Sequence, residues 1–203
     1  MKRTAPALCA ALACAWLLPA CAPQVTRGGE GTAHPDMGRP AMSVLLDRED
    51  INYLVADYLA RLESSTFWQQ AVLAAPQKPV VAIWPIRNAT SQHIEDQMLT
   101  LLSSIETALV NTNAVRVVDR SRQEQLAREI GIQQGADYDP ASAQRLGRQL
   151  GAQYFFTGKI TSVDERLNGA RRVQYSLFLQ VVEIETGLIR FQSEVVREKQ
   201  IRR

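Results

Sequence analysis

The chain has 203 residues, of which 46% are hydrophobic, 22% charged and 6% aromatic, a balance that excludes a disordered or collagen-like polymer. Its 23 basic and 21 acidic residues give a formal charge of +2, so a protein that must neutralise many nucleic-acid phosphates is excluded as well. Two histidines and three cysteines leave little material for a metal site, and no set of them has metal-ligand spacing.

Cys9, Cys14 and Cys21 all lie within the first 21 residues, which excludes an intramolecular disulfide framework in the rest of the chain. Lys2 and Arg3 precede an uncharged run over residues 5–18, the order of a secretory signal. The run is short for a membrane span, which takes about 20 apolar residues. An uncleaved anchor or a buried helix is the alternative reading. Leu18-Pro19-Ala20-Cys21 resembles the lipobox of bacterial lipoproteins, with Pro19 as a mild departure. The resemblance implies a lipoprotein signal peptide over residues 1–20, a thioether to diacylglycerol on Cys21 and acylation of the new amino terminus. Loss of Lys2 and Arg3 would leave 21 basic and 21 acidic groups. Three acyl chains exceed the two signals that stable anchoring takes, so no polybasic adhesion is needed. Ala22 rather than Asp after the cysteine implies, by the lipoprotein sorting rule, delivery to the outer membrane.

Residues 22–42 hold Gly28, Gly29, Gly31, Gly38, Pro23, Pro35 and Pro40, with only Val25, Met37 and Met42 as sizeable apolar groups. Such a segment buries too little surface to offset its ordering entropy and reads as a flexible tether following Cys21. Its mean span would be roughly 25 Å and its limit about 70 Å. His34 within it reads as solvated.

Residues 43–203 form the expected globular domain. Asp47 can cap a helix that carries Ile51, Leu54, Val55, Tyr58, Leu59 and Leu62 on one stripe. A short turn around residues 66–73 precedes the breakers Pro76 and Pro79. Residues 80–84 are a continuous β-prone run, expected as a strand buried on both faces. A helix with Ile94, Met98, Leu101, Leu102, Ile105 and Leu109 on one face leads to a strand over residues 115–118, which together make a βαβ unit with a parallel pair as the default. Ser121-Arg122-Gln123-Glu124 reads as a capping box for a helix that buries Leu126 and Ile130. Asp139-Pro140 reads as the start of another, ending at Gly151.

The last third changes to a period of two. Val173, Tyr175, Leu177, Leu179 and Val181 mark a long strand that follows one over residues 154–161. Glu185-Thr186-Gly187 is a tight turn, and Ile189, Phe191 and Val195 share a face of the strand beyond it. The run Arg197-Glu198-Lys199-Gln200-Ile201-Arg202-Arg203 reads as a solvated strand end or tail, with contact to an acidic partner as the other reading. Early helices and a late β-meander give an α+β (mixed α/β) class, with one sheet covered by helices.

No nucleophile–base pair stands out. Cys21 would be the mature chain's only thiol, His93 sits at a helix start next to Glu95 and reads as a capping or exposed residue, and no G-x-S-x-G, phosphate-binding or dinucleotide-binding motif is present. The expectation is a chain that is not an enzyme and takes no cofactor.

Several fragments in order then carry a resemblance: residues 80–86 followed by Arg87-Asn88-Ala89-Thr90, Arg116-Val117-Val118-Asp119-Arg120, residues 151–160, and Glu185-Thr186-Gly187-Leu188-Ile189. Together they resemble the LpoB family of outer-membrane lipoproteins over nearly all of residues 43–203. The resemblance implies a TolB N-terminal-like fold and a periplasmic, lipid-anchored domain. It also implies a bifunctional (class A) penicillin-binding protein as partner, whose activation would regulate peptidoglycan synthesis. Arg87, Asn88, Asp119 and Arg120 are the candidate contacts, since parallel strands would bring their loops to one end of the sheet. Local loop hydrogen bonding is the other explanation for them. A structural or secretion-assembly lipoprotein built on the same module is the alternative function.

Overall fold

The computed structural model describes residues 24–28, 38–132, 139–167 and 169–202. The signal peptide, Cys21 and His34 lie outside them. In chain order the elements are β1 (Gln24–Arg27), β2 (Arg39–Ala41), α1 (Arg48–Glu63), a π-helical turn at Trp68–Leu73, β3 (Val80–Ile83) and β4 (Arg87–Asn88). They continue with α2 (Glu95–Asn111), β5 (Arg116–Val117), α3 (Arg120–Glu129), α4 (Pro140–Leu150), β6 (Tyr154–Leu167), β7 (Ala170–Glu183) and β8 (Ile189–Arg202). One sheet runs β2-β1-β8-β7-β6-β3-β5, with β4 paired to β6. β3 is parallel to both β5 and β6, whereas β6, β7 and β8 form the antiparallel meander. The class is α+β with the expected βαβ unit, β3–α2–β5.

Alternation along the central strands decides which side chains meet which helices. Val81 and Ile83 join α1, α2 and the π-helical turn in one core, while Ala82 and Trp84 pack on the other face with residues of α3 and α4. β3 is thus covered on both sides, as its unbroken apolar run requires. In β7, Val173, Tyr175, Leu177, Leu179 and Val181 are all buried in the first core. Gly158 is needed where β6 meets β7, because a Cβ there would fall 2.0 Å from the Phe178 carbonyl oxygen. A register irregularity at Val181/Val182 then offsets β8, which leaves Ile189 half exposed rather than on the buried face with Val195.

α1, α3 and α4 start after short acids, whereas α2 has Ile94 at its N-cap and no side-chain cap. Asp47 Oδ1 accepts from the N–H groups of Glu49 and Asp50 at 3.0 and 3.1 Å, and Asp50 Oδ2 accepts from Asp47 N–H at 3.0 Å, a reciprocal capping box. Asp139 caps α4 through Ser142 N–H, Pro140 opens the helix, and Gly151 closes it at φ +67°. α3 departs from the sequence reading. Its cap is Asp119, not Ser121, whose hydroxyl instead donates to the Asp119 carboxylate. Gln123 and Ala127 are its buried residues, while Leu126 and Ile130 are only partly covered.

The larger correction concerns the segment read as a tether. Gln24–Arg27 pairs antiparallel with the end of β8, and Arg39–Ala41 pairs with β1 in turn. The ordered sheet therefore begins at Gln24, well before residue 43. Arg27, 6% exposed, explains the docking. Its guanidinium donates to Asp50 Oδ1 at 3.1 Å, to the Pro40 carbonyl at 2.8 Å and to Asp47 Oδ2, and lies 3.2 Å from Glu49 Oε2. The strand end read as solvated is buried by the same cluster. Lys199 Nζ donates to Leu45 O at 2.5 Å and to Asp47 Oδ2 at 2.9 Å, and lies 2.5 Å from Asp50 Oδ2. Arg197 donates to Asp50 Oδ1 at 3.3 Å, lies 3.7 Å from Glu49 and stacks 4.3 Å above the Tyr53 ring. Three cations thus face three carboxylates where β1, α1 and β8 converge.

Asp50→Ala would leave Arg27, Arg197 and Lys199 together without their central carboxylate. Urea denaturation should show a loss of about 3–5 kcal/mol, the usual cost of breaking a buried charge cluster from one side. Asp47 supplies a pH signature. Burial alone would raise its carboxyl, but the Lys199 hydrogen bond, the Asp50 N–H and the charges of Lys199 and Arg27 outweigh that and hold it at about 2. A carboxyl depressed on folding contributes stability that is present above its unfolded-state value, 3.8, and lost as pH falls toward 2. Stability measured by denaturant should fall across that window, less steeply in Asp47→Asn, which keeps a capping side chain.

Candidate partner-binding face

β3 and β5 pair in parallel through Val80 with Arg116 and Val81 with Val117, so their C-terminal loops leave from the same end of the sheet. The first loop passes Pro85 into Arg87 and Asn88, and the second is Asp119 leading into Arg120. Arg87 is exposed, with its backbone paired to Lys159 of β6. Asn88 builds its own turn: Oδ1 accepts from Thr90 N–H at 3.0 Å and Thr90 Oγ1 at 2.7 Å, while Nδ2 donates to Gln92 O at 2.9 Å. Tyr175 Oη donates to Gln92 Oε1 at 2.6 Å, tying this turn to the meander.

Asp119 is committed to α3. The Ser121 hydroxyl and the Arg122 N–H hold its carboxyl below the usual carboxylate range. Arg120 points to α2, with Nε 3.6 Å from Glu106 Oε2 and about a third of its side chain exposed. Of the four candidates, Arg87 and Arg120 present accessible charge, whereas Asn88 and Asp119 shape the loops that hold them.

Arg120 also borders a cleft of about 120 Å³ between the end of β3, α2 and α3, lined by Ile83, Pro85, Leu99, Leu102, Gln123 and Glu124. Gln123 escaped the sequence reading. It is buried, its Nε2 donates to Ile83 O at 3.0 Å, and its Oε1 has no partner among the described residues. Its spacing of four from Ala127 on one helix face was the available signal. Leu99, 59% exposed, separates this cleft from an open groove of about 730 Å³ between α1 and α2, where Asn52, Val55, Leu59 and Ser103 lie. An apolar ridge flanked by one cation, one acid and a buried amide oxygen suits a protein side chain as anchor.

His93 is fully exposed, 4.0 Å from Glu95, and among the described residues no group of three or more His, Cys, Asp or Glu could hold a metal ion. No described helix is long and apolar enough to cross a membrane.

A family model for the peptidoglycan-synthase activator LpoB matches residues 50–196. Among solved structures, the LpoB C-terminal domain from Salmonella enterica is similar with a TM-score of 0.52 at 15% identity, covering 72% of this chain and 97% of that one. The LpoB C-terminal domain from Escherichia coli gives 0.50 at 16% identity, with the same coverage. At these identities the two structures speak for the fold alone. No curated protein matches the sequence.

Proposed function

The chain belongs to the LpoB family of peptidoglycan-synthase activators, and from that membership we propose that it is an outer-membrane lipoprotein that binds and stimulates a bifunctional, class A penicillin-binding protein. The observation that carries the proposal is the family match, which spans α1 through most of β8. Signal removal before Cys21, acylation of that cysteine and retention in the outer membrane complete the reading. They rest on the lipobox and on Ala22.

An activator of this kind works by contact. It raises synthase activity only as far as it binds the active conformation more tightly than the inactive one, so its residues need affinity and shape rather than reactivity. Arg87 and Arg120, with the Leu99 ridge between the cleft and the groove, are the face assigned to that contact. Acylation would raise the local concentration of this face near a membrane-bound or wall-bound partner without adding any contact.

Purified protein should retain a class A penicillin-binding protein in a pull-down and accelerate its polymerisation of lipid II. Arg87→Glu combined with Arg120→Glu should weaken retention about tenfold or more, since about 1.4 kcal/mol of lost complementarity gives that factor. An unchanged polymerisation rate with saturating protein would refute activation, and recovery of secretion or assembly components alone would favour the structural role. For the anchor, Cys21→Ser should abolish palmitate labelling of cells producing the protein, and persistent label would remove Cys21 as the attachment site.

A further inference from the structure

Between Cys21 and the first residue of β1 stand only Ala22 and Pro23, so Cys21 can lie no more than about 10 Å from Gln24. Gln24 pairs with Arg202, Arg202 with Ala170, and Ala170 with Leu167. This row is one end of the sheet, about 15 Å wide across four strands. An acyl group on Cys21 would therefore be attached beside the β6–β7 hairpin and the end of β8. The β7–β8 turn lies at the other end of 14-residue β7, about 45 Å away.

The same end carries a surplus of positive charge. Arg166, Arg171, Arg172 and Arg202 occupy its last three rows, against Glu165 there and Asp164 one row further in. Arg171 pairs with Asp164 and Arg172 with Glu165, each arginine side chain remaining 33% exposed, and Arg166 is exposed beside them. Anionic lipid headgroups attract arginines that are held within a Debye length, roughly 8 Å at physiological salt. A two-residue leash keeps these arginines near that distance, whereas a 21-residue tether would not.

We propose that this end of the sheet docks on an anionic phospholipid surface, with Arg166, Arg171 and Arg172 facing headgroup phosphates, so that the domain stands with its β7–β8 turn directed away from the membrane. The inference rests on Cys21 being the lipid attachment site. Arg87 pairs with Lys159 of β6, about two fifths of the way down that strand towards the membrane. The partner-binding face would then lie roughly 25 Å above the headgroups.

The test uses the acylated full-length protein in vesicles of phosphatidylethanolamine with or without phosphatidylglycerol. A fluorophore is placed through Ala170→Cys at the hairpin or Leu188→Cys at the distal turn, and a lipid with a nitroxide on its headgroup acts as quencher. With phosphatidylglycerol present, quenching at position 170 should exceed that at 188 by about threefold, and Arg166→Glu with Arg172→Glu should remove most of the difference. Equal quenching at both positions, or a difference indifferent to anionic lipid and to the charge reversal, while the protein still sediments with the vesicles, overturns the docking and leaves the anchor intact. Failure of the unsubstituted protein to sediment with the vesicles overturns the anchor, and the docking with it.

Discussion

A carboxylate without access to water has to be neutralised by the protein itself, and the N-terminal half of this fold is arranged around that demand at Asp50. The residue sits in the first turn of α1, where the capping box needs an acid. Burial there would be prohibitive without Arg27, Arg197 and Lys199, which arrive from two strands at opposite ends of the sequence. The helix start thereby dictates where β1 and the end of β8 must lie. It accounts for a lysine with no exposed side-chain surface in what would otherwise be a surface strand. An apolar substitute at Asp50 would have to replace both an ion cluster and a helix cap.

The proposed contact face depends on a second constraint, the parallel pairing of β3 with β5 and β6. The crossover through α2 leaves both strand ends at one side, so loops distant in sequence become neighbours. Arg120 gains its position from α3, whose start is fixed by the Asp119 cap, and Arg87 gains its position from the short β4 pairing with β6. None of these groups is arranged to attack a bond. An activator needs a surface whose shape persists, and the Asn88 turn pinned through Gln92 to Tyr175 gives that loop its fixed outline.

Periodicity disclosed most of the architecture because the strongly patterned stretches answer to burial alone. The alternation from Val173 to Val181 and the 3–4 spacing from Ile51 to Leu62 each admit one arrangement. What sequence could not disclose was ionic. Arg27 stands among glycines and prolines, and Arg197 and Lys199 resemble any charged strand end, so their burial follows only once three distant segments meet Asp50. The α3 start was misread for a related reason: Asp119 and Ser121 are both good caps, and their competition is decided by the register in which Gln123 closes over Ile83. At the candidate face, the polar loops were legible from strand pairing, but the cleft beneath Arg120 was not, because the four-residue spacing of Gln123 and Ala127 competes with the more apolar pair Leu126 and Ile130 on the same helix.

The antiparallel seam between β1 and β8 also fixes how the molecule answers to pulling. Tension entering at residue 24 along the strand axis loads all four paired positions and the Arg27 clasp at once, in shear, rather than opening them one after another like a zip. The seam between β1 and β8 then resists pulling along the strand axis as one unit.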